Sequence, residues 1–260
     1  MINLLKADFY KLFKTKMFYI LIIVCSVLTI ISVGSNALLK FLAENLVDDM
    51  PIVIDGRATM FSTYNLTSNV GLIIPIFIGI FTLTDIRHGT IRNKIIIGES
   101  KTKVYLSHFI VSTTFALISI IISFILSLVL SLILFGYGHE FNGTEFLNFL
   151  RCLIIGLLTF VYIASISTFF ALITKSTPLT IIFTLLVAIA LSIIASVSFM
   201  IPNEKYVKIF YILPTYANIM LTQTGELSLE LFLFGFFSSI LFIALNLFLG
   251  TLLFKKIDLK

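Results

Sequence analysis

The chain alternates between long apolar runs and short polar segments. The apolar runs fall at about 17–39, 66–84, 105–135, 149–174, 179–200 and 230–254. Crossing ~30 Å of hydrocarbon as an α-helix takes ~20 residues, so each run predicts a membrane span. Ahead of the first run, MINLLKADFYKLFKTK sets Ile2, Leu5, Phe9, Leu12 and Phe13 on one helical face, with Asn3, Asp8, Lys11 and Lys14 opposite. That pattern predicts an amphipathic helix over 1–16 lying in the membrane interface. A basic start before an apolar run also describes a signal peptide, but this run is too long and lacks a small-residue cleavage pattern, which makes it a retained first span. Pro75 interrupts the second run and predicts a helix kink. Residues 202–229 are too polar, and too broken by Pro214, to cross the membrane, yet Tyr206, Phe210, Tyr211 and Tyr216 make them too apolar for a solvated loop. They predict short helices that dip into the outer leaflet or cap the bundle. The pattern as a whole is that of an all-α integral membrane protein with six spans in one domain.

Composition agrees with this. Hydrophobic residues are 59% and charged ones 12%, against roughly 45–50% and 25% in soluble domains. The net charge of +5 would suggest nucleic acid for a soluble protein. Here Lys and Arg cluster beside the apolar runs, as topology signals do, so no nucleic-acid partner is expected. With both termini and the 85–104 and 175–178 segments inside, only Lys40, Arg57, Arg151, Lys205 and Lys208 remain outside. Lys40 to Tyr64 carries Glu44, Asp48, Asp49 and Asp55, and reads as an acidic outer segment. Cys25 and Cys152 stand apart in apolar runs, with neither CxxC nor Cys/His spacing, and read as small fillers.

The one long basic interruption is DIRHGTIRNKIIIGESKTKVYLSH, Asp85 to His108. Gly89 and Gly98 bracket a segment in which Ile91 and Ile95 fall one turn apart, with Arg92 and Lys94 turned elsewhere. The spacing predicts a short interfacial helix with Ile91 and Ile95 as apolar anchors and Arg92 and Lys94 as orienting charges. The alternative is a basic loop that only fixes topology.

Familiar chemistry is missing from the sequence. There is no GxxxxGK(S/T); the nearest stretch, Gly138 to Thr144, has Thr where the lysine must be, so the chain has no phosphate-cradling loop. His88, His108 and His139 read as scattered, solvated loop histidines without metal-ligand spacing. No GxSxG or Ser/His/Asp set is present. Ionisable groups fall at span ends or in loops, which disfavours ion-coupled transport. Two sequons, at Asn65 and Asn142, fall in outer segments and read as chance.

An amphipathic N-terminus, six spans, a polar inner loop between spans two and three and a broken segment before span six together resemble the ABC-2 type permease subunits of ATP-binding cassette exporters. The loop is similar to the pattern such permeases carry there: Asp85, then Gly89, Thr90 and Ile91, a basic stretch of Arg92, Asn93 and Lys94, a turn at Gly98, and Lys101 before Tyr105. Many members have Glu at the position of Asp85 and a Pro-x-Ser-Arg near Gly98 to Lys101, which this sequence lacks. The resemblance implies a coupling loop over 85–104 that docks a separate ATPase subunit, and a second permease copy or sibling in the same bilayer. No cofactor is held by the chain itself, since ATP is bound by the partner. The small Phe- and Ile-rich form is similar to permeases giving immunity to lantibiotics and other antimicrobial peptides. A membrane scaffold or sensor that transports nothing is the alternative from another class, and an intramembrane enzyme has no catalytic residues to stand on.

Overall fold

The computed structural model describes residues 1–46, 55–67, 70–138 and 140–257, and among these the regular secondary structure is entirely helical. Asp48, Asp49, His139, Lys260 and the side chain of Glu44 lie outside the described residues. The elements are α1 (Ile2–Lys14), α2 (Lys16–Leu46), α3 (Gly56–Phe61), α4 (Val70–Arg87), α5 (Thr90–Ile96), α6 (Lys101–Phe135), α7 (Gly143–Thr174), α8 (Thr177–Val197), α9 (Glu204–Val207), α10 (Pro214–Thr224) and α11 (Leu229–Lys256). Six of them, α2, α4, α6, α7, α8 and α11, are long and apolar enough to cross a membrane. A spanning segment must satisfy its own backbone groups in hydrocarbon, and the helix does so within itself. α4 and α7 are the most enclosed spans, while α2, α8 and α11 leave most of their surface free for lipid.

α6 runs 35 residues, about 52 Å at 1.5 Å per residue, so it extends beyond the hydrocarbon. Its Ser119, Ser123, Ser127 and Ser131 recur every fourth residue and are all buried. Such a stripe of small side chains lets neighbouring helices approach closely. α4 is the shortest span, at 18 residues, and stays helical through the buried Pro75.

α4 is short because the chain before it has already entered the bundle. The described part of 40–64 is not the solvated segment that its polar residues predict: α2 continues to Leu46, and α3 and the 3-10 turn Ser62–Tyr64 are packed inside. Tyr64 is fully buried, and a Cβ on Gly156 would come within 2.6 Å of its ring. Gly156 lies thirteen residues into α7, so the segment descends about 20 Å along that helix. Phe61 and Tyr64 stack on Phe124 at 5.6 and 4.9 Å between ring centres.

From the other side α10 enters the same space, against α3, α7, α8 and α11. Its Asn218 donates to the Tyr64 carbonyl at 2.9 Å, satisfying a backbone group where the short turn ends. A Cβ on Gly235 would lie 2.6 Å from that of Ala217, so α11 presses close on α10. Together α3, the turn and α10 form a plug in the half of the bundle away from the termini.

Candidate functional site: the short helix at the terminal face

The two ends of the described chain, Met1 and Ile257, lie on one face. The Met1 amine is 3.8 Å from Glu99, and Lys101 at the start of α6 donates to the carbonyls of Lys255 and Ile257, at 3.0 and 2.6 Å. The last carbonyls of a helix lack partners within it, and this lysine supplies one for the end of α11.

α5 sits on this face between two glycines in the left-handed region, Gly89 at φ 68° and Gly98 at φ 104°. Glycine adopts that conformation without the penalty a Cβ brings, so the chain can turn sharply out of α4 and again into α6. Ser100 then accepts from the Lys103 amide and starts α6.

The orientation of α5 differs from the one its spacing suggests. Ile91 does not face outward; it is 1% exposed, in a cluster with Leu4, Val104, Tyr105, Leu172 and Phe254, and Ile95 packs against the same cluster. Those residues come from α1, α6, α7 and α11, so α5 is seated on the ends of four helices. Tyr105 in turn lies against Gly250, where a Cβ would run into the phenol oxygen. The exposed apolar residues are Ile96 and Ile97, at 70% and 84%, beside the exposed Arg92 and Asn93. Thr90 is half-buried.

Lys94 is likewise turned inward. Its ammonium donates to Asp8 at 2.6 Å, and the Asp8 carboxylate also accepts from Ser107 at 2.6 Å. One residue of α1 thereby holds α5 and α6 together. A turn further along α1, Lys11 donates to Asp85 of α4 at 2.5 Å and lies 4.9 Å from the Phe81 ring centre. Asp85 is therefore not in a loop: it is in the last turn of α4 and 1% exposed. His108 is no solvated loop histidine either; it is buried in α6, its Nε2 3.8 Å from the second Asp85 oxygen. His88, by contrast, is exposed.

The helix α1 explains why these residues escaped sequence reading. Leu4, Asp8 and Leu12, one turn apart, are its buried residues, whereas Ile2, Tyr10 and Phe13 are exposed. Asp8 therefore faces protein, not water. The signal was present in that spacing of four, which places Asp8 in line with two leucines.

A second ionic group closes the opposite face. Arg57 of α3, its side chain 4% exposed, donates to Glu145 at 3.1 Å and to Glu226 at 2.5 Å. Burial works against this guanidinium's charge, but the hydrogen bonds and charges of Glu226 and Glu145 outweigh it and hold its pKa above the ordinary value. Tyr137 donates to Glu145 at 3.4 Å; burial first, then the Glu145 charge, push its phenol up to about 12. Asn148 spans the turn after α10, donating to the Gly225 carbonyl at 3.0 Å and accepting from the Leu227 amide at 2.9 Å. Arg151 donates to the Leu227 carbonyl at 3.4 Å. Asn142 and Asn65 are engaged locally, the first capping α7 and the second accepting from Thr67 in a tight turn.

Among the described residues no cluster of His, Cys, Asp and Glu suits a metal ion. Compared with curated proteins, the sequence finds no match. A family model described as ABC-2 family transporter protein matches residues 4–191, from α1 into α8 and across the whole of α5. That match covers more than two-thirds of the chain, and it takes in the elements that the ionic contacts of α1 tie together. The chain belongs to the ABC-2 family of transporter proteins and is its multi-pass, all-helical permease component.

Proposed function

We propose that this permease moves an amphipathic or hydrophobic cargo out of the cell or its membrane, using ATP hydrolysed by a separate subunit that docks on α5. Both termini and α5 face the cytoplasm in this reading, as the distribution of Lys and Arg favours. A second copy, or a sibling permease, completes the path across the cell membrane. The small Phe- and Ile-rich form favours a peptide cargo, of the kind handled by permeases that give immunity to antimicrobial peptides.

The observation that carries the reading is the division of α5 into two sides. Ile91 is buried in a cluster with residues of α1, α6, α7 and α11, so a push on α5 is a push on the bundle. Ile96 and Ile97 stand out on a strongly basic face, where two adjacent bare isoleucines suit a protein groove. In this role Gly89 and Gly98 set the turns, Asp85 and Lys94 hold α1, Lys101 anchors the end of α11, and Arg92 and Asn93 rim the exposed pair.

The division of labour is tested by purification. The permease alone should show no ATP turnover, and turnover should appear with an ATPase subunit that carries GxxxxGK(S/T). Saturable hydrolysis by the isolated permease would overturn it.

A further inference from the structure

Where α4 ends and α8 begins, at the terminal face, a groove of about 540 Å³ lies open between the two spans. Ile80, Pro178, Ile181 and Ile182 line it, together with Arg87 and Thr177. Arg87 is the last residue of α4 and Thr177 the first of α8, so these two form its rim at the membrane boundary. Ile80 lies two turns earlier in α4, about 10 Å deeper in the hydrocarbon. Next to the lining residues the helices touch: a Cβ added to Gly79 would lie 3.2 Å from the methyl of Thr180. The groove is therefore a trough along the outside of the bundle. Arg87 is exposed and donates to the Thr177 hydroxyl at 3.2 Å. A guanidinium has five N–H donors, and among the described residues no carboxylate pairs with this one. Asp85, two residues before it, turns to Lys11 and His108 instead.

We propose that this groove holds a phospholipid with a net negative headgroup, its phosphate on Arg87 and the upper part of an acyl chain along Ile80, Ile181 and Ile182. The layout matches that molecule from end to end, with a cation at the water boundary and an aliphatic trough running into the hydrocarbon below it. The arginine fork can take two phosphate oxygens at once, and the Thr177 hydroxyl beside it can turn its own proton to the same group. A free phosphate has no use for the apolar trough, and a wholly apolar ligand has none for the guanidinium. Lys175, exposed two residues before Thr177, adds positive potential at the rim and favours an anionic headgroup over a zwitterionic one. The bound lipid joins the end of α4 to the start of α8, on the stretch of chain that leads through Gly89 into α5.

The inference needs α4 and α8 in a bilayer but no ATPase, and the test uses the permease alone. The chain contains no Trp, so Ile182→Trp, in the groove and exposed, places a single fluorophore there. Nanodiscs hold a mixture of phosphatidylglycerol and phosphatidylcholine, with bromine on the acyl chains of one or the other as quencher. Quenching at this position should show a several-fold preference for phosphatidylglycerol. Arg87→Gln, a change at an exposed position, should bring that preference close to unity. Ile193→Trp, exposed further along α8, should show none. Inorganic phosphate in excess, compared with chloride at equal ionic strength, should leave the preference in place. Equal quenching by the two lipids overturns the proposal. So does a preference that persists in Arg87→Gln or is as large at Ile193→Trp, which would assign it to the general charge of the protein. Loss of the preference to phosphate would assign the rim to a free anion, and quenching by neither lipid would assign the groove to a second copy of the chain; each of these outcomes overturns it too.

Discussion

The two faces of the molecule bury ions in opposite ways. At the distal face the enclosed ion is a guanidinium, Arg57, while its carboxylates reach outward, the side chain of Glu226 being 60% exposed. At the terminal face the enclosed ions are carboxylates, Asp8 and Asp85, and their lysines come from an amphipathic helix and from α5. Arginine stays charged and offers a fork of donors, so the distal group is a fixed joint. It is reinforced by Asn148, Asn218 and backbone packed tight on Gly156 and Gly235. Lysine is a point charge on a flexible stem that can reach water, and the terminal group still holds polar atoms without partners. One face is joined through a guanidinium fork, the other through two flexible ammonium stems.

The contrast sets the size of the expected effects. Arg57→Ala should be the most damaging change, because it removes the cation that joins α3, α7 and the turn after α10. Breaking a buried pair in this way typically costs about 3–5 kcal/mol, with the low end expected here because Glu226 can rehydrate. Thermal unfolding in detergent reads it directly, and an unchanged midpoint would break the comparison.

Asp8→Asn should cost less, about 1–2 kcal/mol, since the amide still accepts from Ser107 and Lys94 can turn to water. Its mark should be local: amide exchange across Thr90–Ile96 should quicken while the distal plug keeps its protection. Equal loosening of both faces would deny the terminal group its separate character. The smallest change should come from Lys101→Met, which leaves the α11 carbonyls to water at the surface. It should cost about 0.5–1 kcal/mol, visible as faster exchange of the last turn of α11 and nowhere else.

The spans, the amphipathic start and the glycine-bracketed helix were legible because each is written in a period or a breaker: apolar length for the spans, a spacing of three and four for α1, glycine at a left-handed turn for α5. What the period does not say is which side of a helix meets protein when lipid and core are both apolar. α4 and α7 are the least hydropathic spans and the most buried, a hint available only in comparison with the others. The polar residues misled for the opposite reason. The pattern places Asp8, Arg57, Asp85 and His108 in water because isolated charges usually face it, yet Asp8, Arg57 and Asp85 are buried against partners tens of residues away in the chain, and His108 is buried beside Asp85. The spacing shows that Ile91 shares a face with Ile95, and only the fold shows that this face is occupied by the chain itself.

In the proposed role α5 is fastened through the buried Ile91 and engaged by the ATPase through the exposed Ile96 and Ile97. The direct test is recovery of the ATPase subunit on the purified permease, comparing Ile96→Ser with Ile97→Ser against Ile91→Ser. The outward double change should detach the ATPase while thermal unfolding stays within about 0.5 kcal/mol of the parent, as exposed positions allow. The inward change should lower stability by about 2–4 kcal/mol by emptying part of a packed cluster. An outward double variant that still holds its ATPase and transports at the parental rate would contradict the account.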